Sequence, residues 1–265
     1  MTNPVGSFIW YELMTDDPAR AAKFYGAVLG WKIAEEGSEQ GGIDYRMITR
    51  SDGGTAGGVL ELTADMTQHG ARPTWLGYLH VTDVEAACKA IEADGGKTLM
   101  PKRTLPVGDI AMVADPMGSP FYVMRPVPPP DKPEAVSDVF STSGVERVRW
   151  NELATGDLER AKTFYRKHFA FEVNDVMPMG PMGDYCFLDH RGVRIGAMMQ
   201  KPSDMPMGVW TFYFGVPSIM EGKRAVEANG GTILLAPHAV PTGEWILVAC
   251  DPGGATFGLV STKGD

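Results

Sequence analysis

The chain has 265 residues, 44% of them hydrophobic and 22% charged, with a formal net charge of −9. That composition is the one expected of a soluble globular protein, and the negative balance argues against nucleic acid and anionic membrane as main partners. No apolar run reaches transmembrane length, Met1–Gly6 is short and lacks the basic start of a secretory leader, and three scattered cysteines without CxxC spacing (Cys88, Cys186, Cys250) suit a reducing cytoplasm.

Phe8–Leu13 alternates as a short strand, with Trp10 and Glu12 on one face. Asp17 is a helix N-cap and Pro18 suits the first helical position. Ala21, Phe24, Val28 and Leu29 then form an apolar stripe, and Gly30 ends the helix. Lys32–Ala34 reads as a short strand and Glu35–Gly42 as a polar loop. Asp44–Ile48 and Ala56–Leu62 read as strands joined by the turn Ser51–Gly54. The first module is therefore βαβββ, followed by a connector, Thr63–Pro73. Gly53-Gly54 and Gly57-Gly58 lack any phosphate-loop spacing, so no nucleotide site is inferred.

A second βαβββ module follows. Thr74–Val81 alternates as a strand, Asp83 caps a helix striped by Val84, Ala87 and Ile91, and Gly95-Gly96 ends it. Lys97–Met100, Asp109–Val113 and Pro120–Met124 are its remaining strands. Pro126–Pro133 (PVPPPDKP) cannot join a sheet or helix and reads as a stiff linker.

The second half then repeats the first. Trp10–Trp31 (WYELMTDDPARAAKFYGAVLGW) returns without a gap at Trp150–Phe171 (WNELATGDLERAKTFYRKHFAF), 140 positions on. Ala170 stands where the first copy has Gly30, so that helix end is expected to close differently. Trp210–Val216 repeats Trp75–Val81, and Asp251–Phe257 repeats Asp115–Phe121. The expected fold is α+β: four βαβββ modules in two pairs. The expected domains are 1–126 and 145–265, with a Pro-rich linker at 127–144.

These motifs resemble the vicinal oxygen chelate superfamily, which includes glyoxalase I, bleomycin-resistance proteins and extradiol dioxygenases. The residues carrying the resemblance are Asp17, Ala21, Phe24-Tyr25 and Leu29-Gly30-Trp31, then Val81–Val84 with Gly95-Gly96, then Gly108, Asp115-Pro116 and Gly118. All three groups recur in the second half. The resemblance implies two domains of the glyoxalase type, each curling a mixed sheet around a cavity. The tandem W-x-E-L-x-T form is similar to two-domain bacterial glyoxalase-like proteins.

The resemblance also implies four metal-ligand positions per pair of modules. In the first half they fall on Trp10, Glu61, Leu76 and Tyr122. In the second they fall on Trp150, Met199 or Gln200, Thr211 and Gly258. Trp and Leu cannot ligate a hard divalent cation. No metal is expected there, although an atypical set built from Glu12, Glu61 and His80 stays open.

Glu12 and Glu152 share a face with Trp10 and Trp150 and are expected on the cavity side. Each is either a proton acceptor for substrate or a buried carboxylate that satisfies nearby Tyr or backbone donors. His80 has the strand parity of Leu76 and Tyr78, and its counterpart is Gly215. It reads as a base special to the first half or as a solvent-facing histidine at a strand end. Glu12 and His80 are the candidate catalytic residues. Trp10, Tyr45, Tyr78, Tyr122, Trp150, Glu152, Tyr185 and Tyr213 are candidate substrate-binding residues, since flat aromatics stack rings and phenols donate to carbonyls. His69, His168, His190 and His238 read as surface. Met177–Met182 (MPMGPM) reads as an adaptable apolar lining or a mobile loop.

The expected function is binding of a small apolar or aromatic oxygenated metabolite, with or without metal-independent lyase or isomerase activity of the glyoxalase type. The alternatives are a metal-dependent lyase or dioxygenase with an atypical ligand set, and a pure sequestration protein. A monomer or homodimer is compatible with the sequence.

Overall fold

The computed structural model describes residues 3–40 and 43–265. The first module comprises β1 (Phe8–Thr15), α1 (Pro18–Leu29), β2 (Lys32–Ile33), β3 (Ser38–Gln40), β4 (Ile43–Thr49) and β5 (Thr55–Glu61). A short helix α2 (Ala64–Gln68) leads into the second: β6 (Thr74–His80), α3 (Val84–Ala93), β7 (Lys97–Leu105), β8 (Gly108–Ala114) and β9 (Pro120–Pro126). The third is β10 (Val148–Thr155), α4 (Leu158–Phe169), β11 (Phe171–Pro178), β12 (Asp184–His190) and β13 (Val193–Gln200). The fourth is β14 (Val209–Gly215), α5 (Ile219–Ala228), β15 (Thr232–Ala239), β16 (Trp245–Cys250) and β17 (Thr256–Ser261).

Among the described residues the strands form two mixed sheets. One runs β2-β4-β5-β1-β6-β9-β8-β7, with β3 beside β4; the other runs β11-β12-β13-β10-β14-β17-β16-β15. In each module the first strand or its last partner supplies one parallel pair: β1 with β5, β6 with β9, β10 with β13 and β14 with β17. The other strand pairs described within modules are antiparallel.

Several local expectations change. The loop at Glu35–Gly42 contains β3, whose Ser38 and Glu39 pair with Tyr45 and Asp44; Gly41 and Gly42 lie outside the described residues. The connector Thr63–Pro73 holds α2, because Thr63 caps it by accepting from the Met66 amide at 3.2 Å. β7 extends through Pro101 to Leu105, with register shifts on either side of Met100. It is a terminal strand of its sheet, where proline and bulges are tolerated. Pro126 joins β9 as its last residue, opposite Gly108.

The helix caps follow the sequence. Asp17, Asp83 and Asp157 accept from the amides of Arg20, Ala86 and Arg160 at 2.8, 3.0 and 3.0 Å. Gly30 ends α1 in the left-handed region at φ 76°. Contrary to expectation, α4 ends the same way, with Ala170 at φ 55° and its amide on the Arg166 carbonyl.

The chain divides into two compact units. One holds Met1–Ile9, Leu76–Ser137 and Trp150–Trp210, so it contains most of the second and third modules. The other holds Trp10–Trp75, Asp138–Arg149 and Thr211–Asp265, most of the first and fourth. Each unit has its own aromatic core. In the first-and-fourth unit Tyr25, Trp31, Trp75, Phe214 and Phe257 meet at ring separations of 4.9–6.4 Å. Phe121, Tyr165, Phe169, Phe171 and Trp210 do the same in the other. Each ring so buried is worth about 1.5–3 kcal/mol by transfer from water.

A polar link runs through each core. The Trp75 indole N–H donates to the Tyr25 hydroxyl at 2.8 Å, and that hydroxyl donates to Asp251 at 3.0 Å. Asp251 also accepts from the Gly253 and Ala255 amides, both at 2.9 Å. Trp210, Tyr165 and Asp115 repeat the arrangement at 3.0 and 3.1 Å. The Phe-Tyr and Asp-Pro-x-Gly motifs are thus two ends of one contact.

Candidate functional site

In the first module, strand alternation sets Trp10 and Glu12 on one face of β1, and β4 brings Tyr45 beside them. The Trp10 indole N–H donates to the Tyr45 hydroxyl at 2.8 Å, and that hydroxyl is hydrogen-bonded to Glu12. Glu12 is 1% exposed. It stands opposite Gly58 of β5, where an added Cβ would lie 2.1 Å from the Tyr45 hydroxyl. A glycine is needed there because the phenol lies down on the strand.

The third module rebuilds the unit with one difference. Trp150 donates its indole N–H to the Tyr185 hydroxyl at 2.9 Å, and Tyr185 donates to Glu152 at 2.5 Å. Glu152 is only half-buried, and the residue opposite it is Ala197. Phe187 stands edge-on to both rings, 6.1 Å from Trp150 at 80° and 5.5 Å from Tyr185 at 82°. The Arg194 guanidinium covers Phe187 at 4.5 Å.

Electrostatics separate the roles. Burial, followed by the negative charge of the neighbouring glutamate, holds the Tyr45 and Tyr185 hydroxyls well above the ordinary phenol value of 10.0. The indole N–H opposes this in both. Each phenol therefore stays protonated and acts as a donor, leaving the carboxylate as the acceptor of the set.

The remaining predicted residues fall elsewhere. Tyr78 and Tyr122 pair across β6 and β9 and stack on each other at 4.2 Å and 15°. Tyr213 stands opposite Gly258 in β14 and β17, and an added Cβ at Gly258 would lie 2.2 Å from the Tyr213 ring. His80 is not solvent-facing: it is 8% exposed, with Nδ1 2.7 Å from the Asn3 carbonyl. His190 and His168 are not surface residues either. His190 is 6% exposed with Nε2 3.0 Å from the Val5 carbonyl, and His168 meets Asp94 at 2.7 Å. Met177 lies in β11 and Met182 in a short 3-10 turn, 61% exposed.

The side chains at the ligand positions do not fit a divalent metal. Trp10 and Trp150 present N–H donors that are spent on tyrosine hydroxyls. Tyr122 is packed ring to ring, and Leu76, Thr211 and Gly258 supply no anionic ligand. Among the described residues no three His, Cys, Asp or Glu side chains stand together as a ligand set.

The sequence pattern of the Glyoxalase/Bleomycin resistance protein/Dioxygenase superfamily matches residues 7–122 and 147–259. The chain belongs to this superfamily. It is an α+β member with two glyoxalase-type domains and two open, mixed sheets. Anthracycline biosynthesis protein DauV of Streptomyces sp. (strain C5) is 29% identical over 270 residues, covering 97% of this chain and 94% of DauV. Two solved structures share the superfamily fold. The Mn(II)-bound glyoxalase from Novosphingobium aromaticivorans superposes with a TM-score of 0.64 at 17% identity, covering 97% of this chain and 82% of that one. The 2,2',3-trihydroxybiphenyl 1,2-dioxygenase from Sphingomonas wittichii strain RW1 gives 0.65 at 12% identity, covering 97% and 91%.

Sequence reasoning missed Phe187, Ala197 and Arg194. The signal was present in the alternation of β12, where Tyr185 and Phe187 share a face, and in Ala197 standing where the first copy has Gly58.

Proposed function

We propose that this protein binds a small aromatic, oxygenated metabolite and shifts a proton on it without a metal ion, as a lyase or isomerase would. The observation that carries the reading is the hydrogen-bonded chain from Trp150 through Tyr185 to Glu152, which has its counterpart at Trp10, Tyr45 and Glu12. The glutamate accepts the proton of an acidic ligand O–H or C–H. The phenol, kept protonated, donates to the ligand oxygen on which charge develops. Trp fixes the phenol's direction. Relatives named for anthracycline biosynthesis agree with an aromatic, oxygenated ligand. His80 is assigned to holding the backbone at Asn3.

The test pairs elemental analysis of the purified protein with titration by 1,4-dihydroxyanthraquinone before and after dialysis against EDTA. Binding that survives chelation, with no stoichiometric metal, supports the reading. A tightly held stoichiometric metal whose removal abolishes binding defeats it. The three-ring wall of Trp150, Tyr185 and Phe187 also suits plain sequestration. Recovery of the dye unaltered, with no exchange of its carbon-bound hydrogens in D2O, selects that second reading.

A further inference from the structure

The two copies of the indole–phenol–carboxylate unit differ in one methyl group and one ring. We infer that only the copy in the third module receives the ligand, and that it takes a flat hydroxylated aromatic, while the copy in the first module is a closed structural version of it. The inference rests on the proposed function and locates its site.

The methyl group comes first. Glu12 and Glu152 occupy equivalent places on β1 and β10, opposite Gly58 and Ala197. Gly58 has no Cβ, and the Tyr45 hydroxyl lies where one would be, 2.1 Å from that position. The phenol seals Glu12 to 1% exposure. At Ala197 the methyl occupies that place, so the Tyr185 phenol cannot settle against the strand in the same way. Tyr185 still holds Glu152 at 2.5 Å, yet Glu152 keeps access to solvent. One carboxylate is enclosed by its own tyrosine; the other can be reached from outside.

The ring comes second. Two positions after each tyrosine, the first copy has Met47, 42% exposed, and the second has Phe187. Phe187 stands at 80° and 82° to Trp150 and Tyr185, with Arg194 over its face. Phe187, set steeply against the other two rings, offers a planar guest both faces and edges. An aliphatic guest gains only buried area from such a wall. A hydroxyl on an aromatic ring gains the Glu152 acceptor as well. It can displace the Tyr185 hydroxyl from one carboxylate oxygen, and the freed phenol then donates to a neighbouring ligand oxygen.

Two measurements test this. In the first, accessible carboxylates are coupled to glycine ethyl ester by a water-soluble carbodiimide, and peptides are read by mass spectrometry. Glu152 is expected to label at least ten times faster than Glu12. Gly58→Ala should lift Tyr45 and bring Glu12 labelling up, and Ala197→Gly should lower labelling of Glu152. Equal labelling in the wild type, or no response to either exchange, overturns the inference. In the second, 1,4-dihydroxyanthraquinone is titrated by visible absorbance. One equivalent per chain is expected, with affinity lowered at least ten-fold in Glu152→Gln while thermal unfolding stays cooperative. Two equivalents, of which one survives in Glu152→Gln, overturns the single-site assignment. A dye that does not bind at all defeats the proposed function instead, and the labelling ratio alone then decides whether the copies differ.

Discussion

The Tyr25 hydroxyl donates to the Asp251 carboxylate at 3.0 Å, joining residues 226 positions apart in the chain. Tyr25 is fully buried and also accepts from Trp75. Tyr25→Phe therefore strands two buried polar groups, an indole N–H and a carboxylate oxygen, at about 1–3 kcal/mol each. We expect the melting temperature to fall by roughly 4–24 °C, taking about 2–4 °C per kcal/mol for a chain of this size. Tyr165→Phe, which strands Trp210 and Asp115, should do the same. A loss below about 1 °C in both, by calorimetry, would show that these links are replaced by water at no cost.

Asp115 and Asp251 give a pH dependence of definite sign. Burial raises both above the usual 3.8, against the opposing backbone and tyrosine hydrogen bonds. The folded state therefore binds the proton more tightly than the unfolded state. This contribution to stability is fully present below pH 3.8 and is lost as pH rises through the folded value. Asp251→Asn cannot ionise and can keep an oxygen acceptor for the Gly253 and Ala255 amides. Its stability relative to wild type should improve as pH rises above 3.8 and level off once the folded carboxyl of the wild type has ionised. Paired urea titrations across that range would check it, and a difference that worsens with pH would refute the assignment of burial as the dominant influence.

The module pattern was legible because it is written in local chemistry: caps at Asp17, Asp83 and Asp157, turns at Asp115-Pro116 and Asp251-Pro252, and alternation along β1 and β10. The indole and carboxylate at Trp10 and Glu12 shared a readable strand face. What no local pattern announces is which distant partner a motif serves. Tyr25 reads only as half of the Phe24-Tyr25 motif beside the helix stripe, and its bond to Asp251 depends on how modules pack. The difference between Gly58 and Ala197 is likewise a single methyl whose meaning appears only once a tyrosine from β4 or β12 is placed over it. His80 reads as either a base or a solvent-facing ring, and His168 and His190 as surface, because charge-bearing residues are usually exposed. Their burial comes from a backbone carbonyl at Asn3, the Asp94 carboxylate, and another carbonyl at Val5.

Ala170 ends α4 in the left-handed region at φ 55°, where a side chain clashes with its own backbone at a cost of about 1–2 kcal/mol. The equivalent residue, Gly30, meets the same demand without that clash. Ala170→Gly removes the strain but adds about 0.4–1 kcal/mol of unfolded-chain entropy. The net expectation is a gain of roughly 0.5–1 kcal/mol, or about 1–4 °C in melting temperature. Gly30→Ala should lose a similar amount. If both exchanges leave the transition unmoved, the two helix ends are not held in this conformation in solution.

His190 makes the contact at Val5 sensitive to acid. Burial, aided by nearby Arg191, lowers its value below the ordinary 6.5, while the Val5 carbonyl and Glu172 act the other way. The folded state favours the neutral ring, so the stabilisation is present above pH 6.5 and is lost as pH falls through the lower folded value. The ring already touches the segment that carries Gly6, whose amide donates to the His80 carbonyl at 2.9 Å and whose Cα lies too close to Phe169 to carry a side chain. Hydrogen exchange of the Gly6 and His80 amides, corrected for the intrinsic pH effect, should lose protection as pH falls below 6.5 and through the lower folded value. His190→Gln, which keeps an N–H donor without titrating, should flatten that dependence. A dependence that persists unchanged in His190→Gln would move its origin to another group and overturn the assignment to His190.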